Sequence, residues 1–159
     1  SKAAGPADIY TDKSPHHVFL AGLLAKVHPG AVFAAPWRSR ADMAVSLYFH
    51  EFGPEFAFTR TLTGIEDYLA FHEDAIAKWR EAGVEIAGHD HDAFSQNPSS
   101  VGEALCAQLG LKWSNAMLND ASGDGAVRTF SARQVRGGVS TKFAGRGARY
   151  AAFLGGRFK

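Results

Sequence analysis

Two short apolar runs, each enclosed by helical patterns, constrain this chain more than any other feature. Residues 31–36 read Ala-Val-Phe-Ala-Ala-Pro between Gly30 and Trp37, and residues 84–87 read Val-Glu-Ile-Ala just after Gly83. Short segments bounded by Gly and Pro suit buried strands, although the alanines weaken the β propensity of the first. Before it, Ser14-Pro15 places a cap residue and a first-position proline ahead of an apolar pattern that stops at His28-Pro29-Gly30. Between the strands, Asp42 is positioned to cap a helix whose Met43, Ala44, Leu47 and Tyr48 share one face, leaving Ser46 and Phe49 away from it. The most regular helix spans residues 65–82, with Ile65, Leu69, Ile76 and Trp79 recurring and Gly83 as stop signal. Ser99-Ser100 with Glu103 form a capping-box pattern ahead of Ala104, Leu105, Ala107 and Leu109, ended by Gly110. Two helix-strand-helix units in succession predict an α/β fold, a parallel sheet flanked by helices with ligand chemistry at the carboxyl ends of its strands. Residues 119–125 read as a loop, and a weak helical signal appears over 149–154.

The chain has 159 residues, 46% of them apolar, which fits one domain over residues 1–159. Its net charge of +1 conceals a division. Residues 1–125 carry nine Lys/Arg against sixteen Asp/Glu, a net of −7, whereas residues 126–159 carry eight Lys/Arg and no acid. This basic C-terminal segment must face solvent, pair with the acidic part or hold an anionic ligand. The longest apolar stretch, residues 31–37, is far below the ~18 residues of a membrane-spanning helix. A soluble chain is expected, and the single cysteine, Cys106, fits a cytoplasmic location.

Several constellations are weak. His89-Asp90-His91-Asp92 offers metal-ligand chemistry but has no third remote ligand, so a polar strand end and no metal are expected. Cys106 sits among Ala104, Leu105 and Ala107 as a small buried thiol. Ser131 lacks a Gly-x-Ser-x-Gly context, which argues against a hydrolase elbow.

Three segments carry a resemblance: Thr11-Asp-Lys-Ser-Pro15, then Pro36-Trp-Arg-Ser-Arg-Ala-Asp-Met-Ala-Val-Ser-Leu-Tyr48, then Thr129-Phe-Ser-Ala-Arg-Gln-Val-Arg136. In order and spacing they resemble the sulfotransferase family that uses 3′-phosphoadenosine 5′-phosphosulfate (PAPS), in the branch related to tyrosylprotein and bacterial tetratricopeptide-linked sulfotransferases. Phe49, Phe52-Gly53-Pro54, Trp79, Leu109-Gly-Leu-Lys-Trp113 and Gly145-Arg146 continue the similarity over nearly the whole chain.

The resemblance implies a P-loop-like parallel sheet and in-line transfer of a sulfuryl group from PAPS to a hydroxyl acceptor. Such a reaction asks the protein mainly for positioning and cationic stabilisation. By this resemblance Arg38 and Ser46 clamp the 3′-phosphate and Arg146 lies near the nucleotide phosphates. Lys13 and Ser131 would stabilise the leaving phosphate as the sulfur–oxygen bond breaks, and no metal is required. By residue type alone, Arg38 could be a turn residue, Ser46 a solvated helix position, Lys13 a surface lysine, Ser131 a turn hydroxyl and Arg146 a solvated arginine.

The family's Gly-rich 5′-phosphosulfate loop belongs several tens of residues before Thr11, whereas ten residues stand there without such a motif. The expected fold is therefore an N-terminally incomplete or reduced sulfotransferase-like domain, and an upstream segment or partner is expected to supply the loop. The family's Tyr-Glu-Asp-Leu appears here as His91-Asp-Ala-Phe94, its Arg-Pro as Arg136-Gly137, and the Trp after its basic position as Gly147; Ser39 replaces the Asp after Arg38. The acceptor could be a carbohydrate, a phenol or a protein tyrosine. Two other functions stay open: a non-catalytic relic that binds nucleotide or a protein partner, and, more weakly, a nucleic-acid-binding module built on the basic segment.

Overall fold

The computed structural model describes residues 9–118 and 139–158. Its sheet is a pair of parallel strands, β1 (Phe33–Trp37) and β2 (Ile86–Asp90), with Phe33 opposite Ile86 and Trp37 opposite Asp90; contrary to the expectation of buried strands, none of their residues is fully buried. Parallel neighbours need a crossover, and here it runs through α2 (Arg40–Phe49), a 3-10 segment (Pro54–Arg60) and α3 (Leu62–Glu81). Both strands lie where the apolar runs point, displaced toward their carboxyl ends. Ala31 and Val32 stay outside β1, while Gly88, His89 and Asp90 join β2. Gly88 makes this register possible, because a Cβ there would lie 2.5 Å from the Trp37 ring. Pro36, which has no N–H to donate, is accommodated because β1 pairs along one edge among the described residues.

Ahead of β1, a 3-10 turn (Pro15–Leu20) runs into α1 (Ala21–Val27). The Ser14 hydroxyl accepts from the His16 N–H at 3.3 Å, with Pro15 in the first helical position, as the punctuation predicts. Trp79 fixes this element to α3. Its Nε1 donates to the Val18 carbonyl at 2.7 Å, and its indole lies so close to Gly22 that any side chain there would overlap it.

Two capping assignments are corrected. Ser39, not Asp42, caps α2, its hydroxyl accepting from the Asp42 N–H at 3.3 Å. That leaves the Asp42 carboxylate available for distant partners. The helix expected to begin at Ser99 instead begins one residue earlier: α5 (Pro98–Gln108) has Asn97 as its N-cap and Pro98 at its first position, so Ser99 lies inside the first turn. Thr61 caps α3 (Leu62–Glu81) by accepting from the Gly64 N–H at 3.0 Å, so the helix starts three residues ahead of the expected residue 65. The polar run His89-Asp90-His91-Asp92 straddles an element boundary. Asp90 ends β2 and caps α4 (His91–Gln96), accepting from the Asp92 and Ala93 N–H groups at 2.7 and 3.1 Å.

The core forms where α2 meets α3. Ala44 and Val45 pack with Ile65 and Leu69, with Met43 and Leu47 beside them. Tyr48, expected on the apolar face, is more than one-third exposed. Leu154 and Phe158 complete this core. The described part of the basic C-terminal segment therefore packs into the domain: after the helical turn α6 (Arg146–Arg149), Leu154 at the end of α7 (Ala151–Leu154) and Phe158 beyond it enter the core. Among the described residues no helix is long and apolar enough to cross a membrane.

One titration follows from this packing. His72 of α3 lies against Phe19 and Tyr68, and burial lowers its pKa despite opposing contributions from a Pro15 backbone hydrogen bond and from Glu73. With the folded pKa below the unfolded value of about 6.5, the unfolded chain takes up the proton first as pH falls. The stability associated with neutral His72 is thus complete above about pH 6.5 and declines below it. His89 acts in the same direction, lowered by burial and by His91. Urea unfolding of His72→Gln between pH 5 and 7 should show a shallower loss of stability than the parent; an unchanged slope would exclude the effect.

Candidate functional site

Arg38 is the first residue after β1 and stands where the carboxyl ends of both strands open. Its guanidinium is held from three directions. Nε donates to the Asp92 carboxylate at 3.0 Å, from the first turn of α4 after β2. Nη2 donates to the Asp42 carboxylate at 2.9 Å, from the first turn of α2, and also to the carbonyl of Phe143. The Arg38 side chain is 15% exposed and that of Asp42 is 2% exposed. These are charge-assisted bonds in a mostly desolvated setting, where geometry is strongly enforced.

Asp42 is the centre of this arrangement. Besides Arg38, its carboxylate accepts the N–H of Gly147 at 2.6 Å and the N–H of Gly145 at 2.7 Å. Gly145 has φ +70°, a conformation glycine adopts without penalty. Gly147 is buried against the start of α2, where a Cβ would lie 2.5 Å from the Ala41 Cβ and 2.9 Å from the Asp42 nitrogen. Arg146, between the two glycines, places its guanidinium 5.5 Å from the centroid of the Phe143 ring. Phe143 thus links the two arginines, binding one through its carbonyl and stacking with the other through its ring.

The remaining sequence candidates are distributed around this centre. Ser46 is one helical turn beyond Asp42 on α2, on the same face. Its backbone carbonyl oxygen lies 2.7 Å from the His50 Nδ1. Lys13 is exposed just before the Ser14 cap, and no hydrogen bond or ion pair ties it to Arg38 among the described residues. Ser131 lies outside the described residues. Arg38 Nε and Nη2 already bind protein oxygens, which leaves the Nη1 edge as the guanidinium donor pair unengaged among the described residues. Among the described residues no group of three His, Cys, Asp or Glu side chains could hold a metal ion.

Comparison with known proteins decides the family. A model described as Sulfotransferase family matches residues 1–115.

The chain belongs to the sulfotransferase family.

The matched part of this sulfotransferase-family chain contains Lys13, Arg38 and Ser46, while Ser131 and Arg146 follow it. An uncharacterized protein from Aquifex aeolicus (strain VF5) is 26% identical over 147 residues, covering 90% of this chain and 19% of that protein. The chain thus spans 19% of that relative's length. No solved structure matches it with significance. Sulfotransferase membership agrees with a small parallel sheet flanked by helices. The residues that sequence reasoning missed are Asp42 as an anchor, Asp92, and the Phe143, Gly145 and Gly147 backbone groups. A local signal existed for three of them. Asp42 follows Arg38 by four residues, an ion-pair spacing, and Gly145 and Gly147 flank Arg146.

Proposed function

We propose that this chain is the part of a cytoplasmic, PAPS-dependent sulfotransferase that binds the nucleotide end of the donor and delivers its sulfuryl group to a hydroxyl acceptor. One observation carries the reading. Arg38, at the carboxyl end of β1, and the segment bearing Arg146, more than a hundred residues later, are brought together around one buried carboxylate. A site assembled from two distant cationic segments at strand ends suits a phosphate-bearing ligand.

In this reading Arg38, Ser46 and Arg146 hold the nucleotide phosphates. Lys13 and Ser131 stabilise charge on the leaving phosphate as the acceptor oxygen forms its bond to sulfur and the bridging S–O bond breaks. A P-loop-like 5′-phosphate segment would come from an upstream stretch or a partner. The acceptor is a carbohydrate, a phenol or a protein tyrosine.

Calorimetric titration with adenosine 3′,5′-bisphosphate, on the chain alone and joined to its upstream partner, tests the proposal. Binding should weaken by about tenfold to a hundredfold in Arg38→Ala, the range for losing a charge-assisted contact. No binding in either form, or equal binding by Arg38→Ala with its fold intact, overturns it. A second reading, a nucleotide-binding relative without transfer activity, is favoured by the engagement of Arg38 with Asp42 and Asp92. Sulfate transfer by the joined protein would exclude that reading.

A further inference from the structure

We infer that Asp42 is a positioning residue that makes Arg38 and Arg146 act as one anion site. The inference rests on the donor-binding reading above for the identity of its ligand. Its basis is the fourfold convergence at Asp42: a capping hydroxyl from Ser39 at its own N–H, and on its carboxylate the Arg38 Nη2 and the N–H groups of Gly145 and Gly147. With the backbone of Asp42 satisfied by Ser39, its side chain is released to receive donors from the far end of the chain.

The consequences for each arginine are specific. Arg38 is clamped by Asp42 at Nη2 and by Asp92 at Nε, so it cannot rotate to present another edge; an arriving anion meets Nη1. Arg146 sits between the two glycines whose amides Asp42 accepts, so its backbone position is set by the same carboxylate. Its side chain is set by the Phe143 ring, whose own carbonyl is bound by Arg38. A change at Asp42 therefore reaches both cations, although Asp42 as an anion would itself repel a phosphate. That combination separates a positioning residue from a ligand contact: removing its negative charge should weaken anion binding rather than strengthen it.

Asp42→Asn keeps the shape of the side chain but replaces one acceptor oxygen by an NH2 group facing donors. A double-mutant cycle with Arg146→Ala, read by calorimetric binding of adenosine 3′,5′-bisphosphate to the chain, reports the coupling. In the parent, Arg146→Ala should weaken binding about tenfold; in the Asp42→Asn background it should have less than about a twofold further effect. Amide hydrogen exchange adds a ligand-free readout. Gly145 and Gly147 should lose protection in Asp42→Asn while the α3 amides keep theirs.

Additive effects in the cycle, or tighter binding by Asp42→Asn, overturn the role of Asp42 while leaving the donor-binding reading in place. Absence of binding by the parent overturns that reading and this one together, and the exchange data then show whether the mechanical link alone survives. If Asp42→Asn does not fold, Asp42→Glu, which keeps the charge but displaces it by one methylene, enters the cycle under the same criteria.

Discussion

Asp42→Ala is expected to lower the unfolding free energy by about 3–5 kcal/mol, the range for breaking one side of a buried ion pair. Two outcomes compete after the substitution, and both are costly. If the C-terminal segment stays in place, the Arg38 guanidinium loses a buried partner and the Gly145 and Gly147 N–H groups face a methyl group in place of a carboxylate. If the segment lifts away, those groups regain water but Leu154 and Phe158 leave the core, each losing roughly 1.5–3 kcal/mol of burial. Whichever is smaller sets the measured effect. A domain of ordinary stability has about 5–15 kcal/mol to lose, so the variant should remain folded in the cold but show a clearly lower urea midpoint. A loss below about 1 kcal/mol would contradict a structural role for the carboxylate.

Gly147→Ala should produce a smaller loss by a different cause. The added methyl would meet the Ala41 Cβ at 2.5 Å, the Ala41 carbonyl carbon at 2.7 Å and the Asp42 nitrogen at 2.9 Å. Two of these atoms are backbone at the start of α2 and cannot swing aside as a flexible side chain would. Overpacking of this kind costs about 1–3 kcal/mol, and separation of the segments also lengthens the 2.6 Å bond from Gly147 to Asp42. The expected signature is a lowered unfolding midpoint together with faster proteolytic cleavage within residues 139–158. Gly110→Ala is a useful contrast, since its added Cβ meets nothing and only its φ of +67° is strained. Equal midpoints for parent and Gly147→Ala would exclude the close approach.

Legibility in the sequence followed the range of the interaction. α3 was readable because a 20-residue amphipathic pattern ends at a glycine that adopts φ +84°. The strands were readable as short apolar runs, but their limits were not, because pairing register depends on how Trp37 covers Gly88 across the sheet. Asp42 was misread as a cap for a definite reason: an acid near a helix start is chemically suited both to capping and to distant donors, and the nearer Ser39 takes the first task. Arg38 stood out through the family resemblance. Its partners Asp92 and Phe143 lie 54 and 105 residues away, and no local pattern encodes them. The charge division along the chain was visible, but that the basic segment would donate Leu154 and Phe158 to the core was not, since the helical signal over 149–154 is weak and Phe158 stands beyond it between Arg157 and Lys159.

The bond from Gly147 to Asp42 spans 105 positions of the chain. Its formation is a late event in folding, because the entropy of closing so long a loop must be met before the contact repays any of it. The α2–α3 pair can meet early through short-range contacts, but its apolar seam stays open until Leu154 and Phe158 arrive. During synthesis the ribosome releases those residues after everything else in the core has emerged. Until then the nascent domain exposes an unsealed hydrophobic groove beside an Asp42 carboxylate that still lacks its Gly145 and Gly147 donors, and it is in this interval that chaperone engagement or aggregation would act on it.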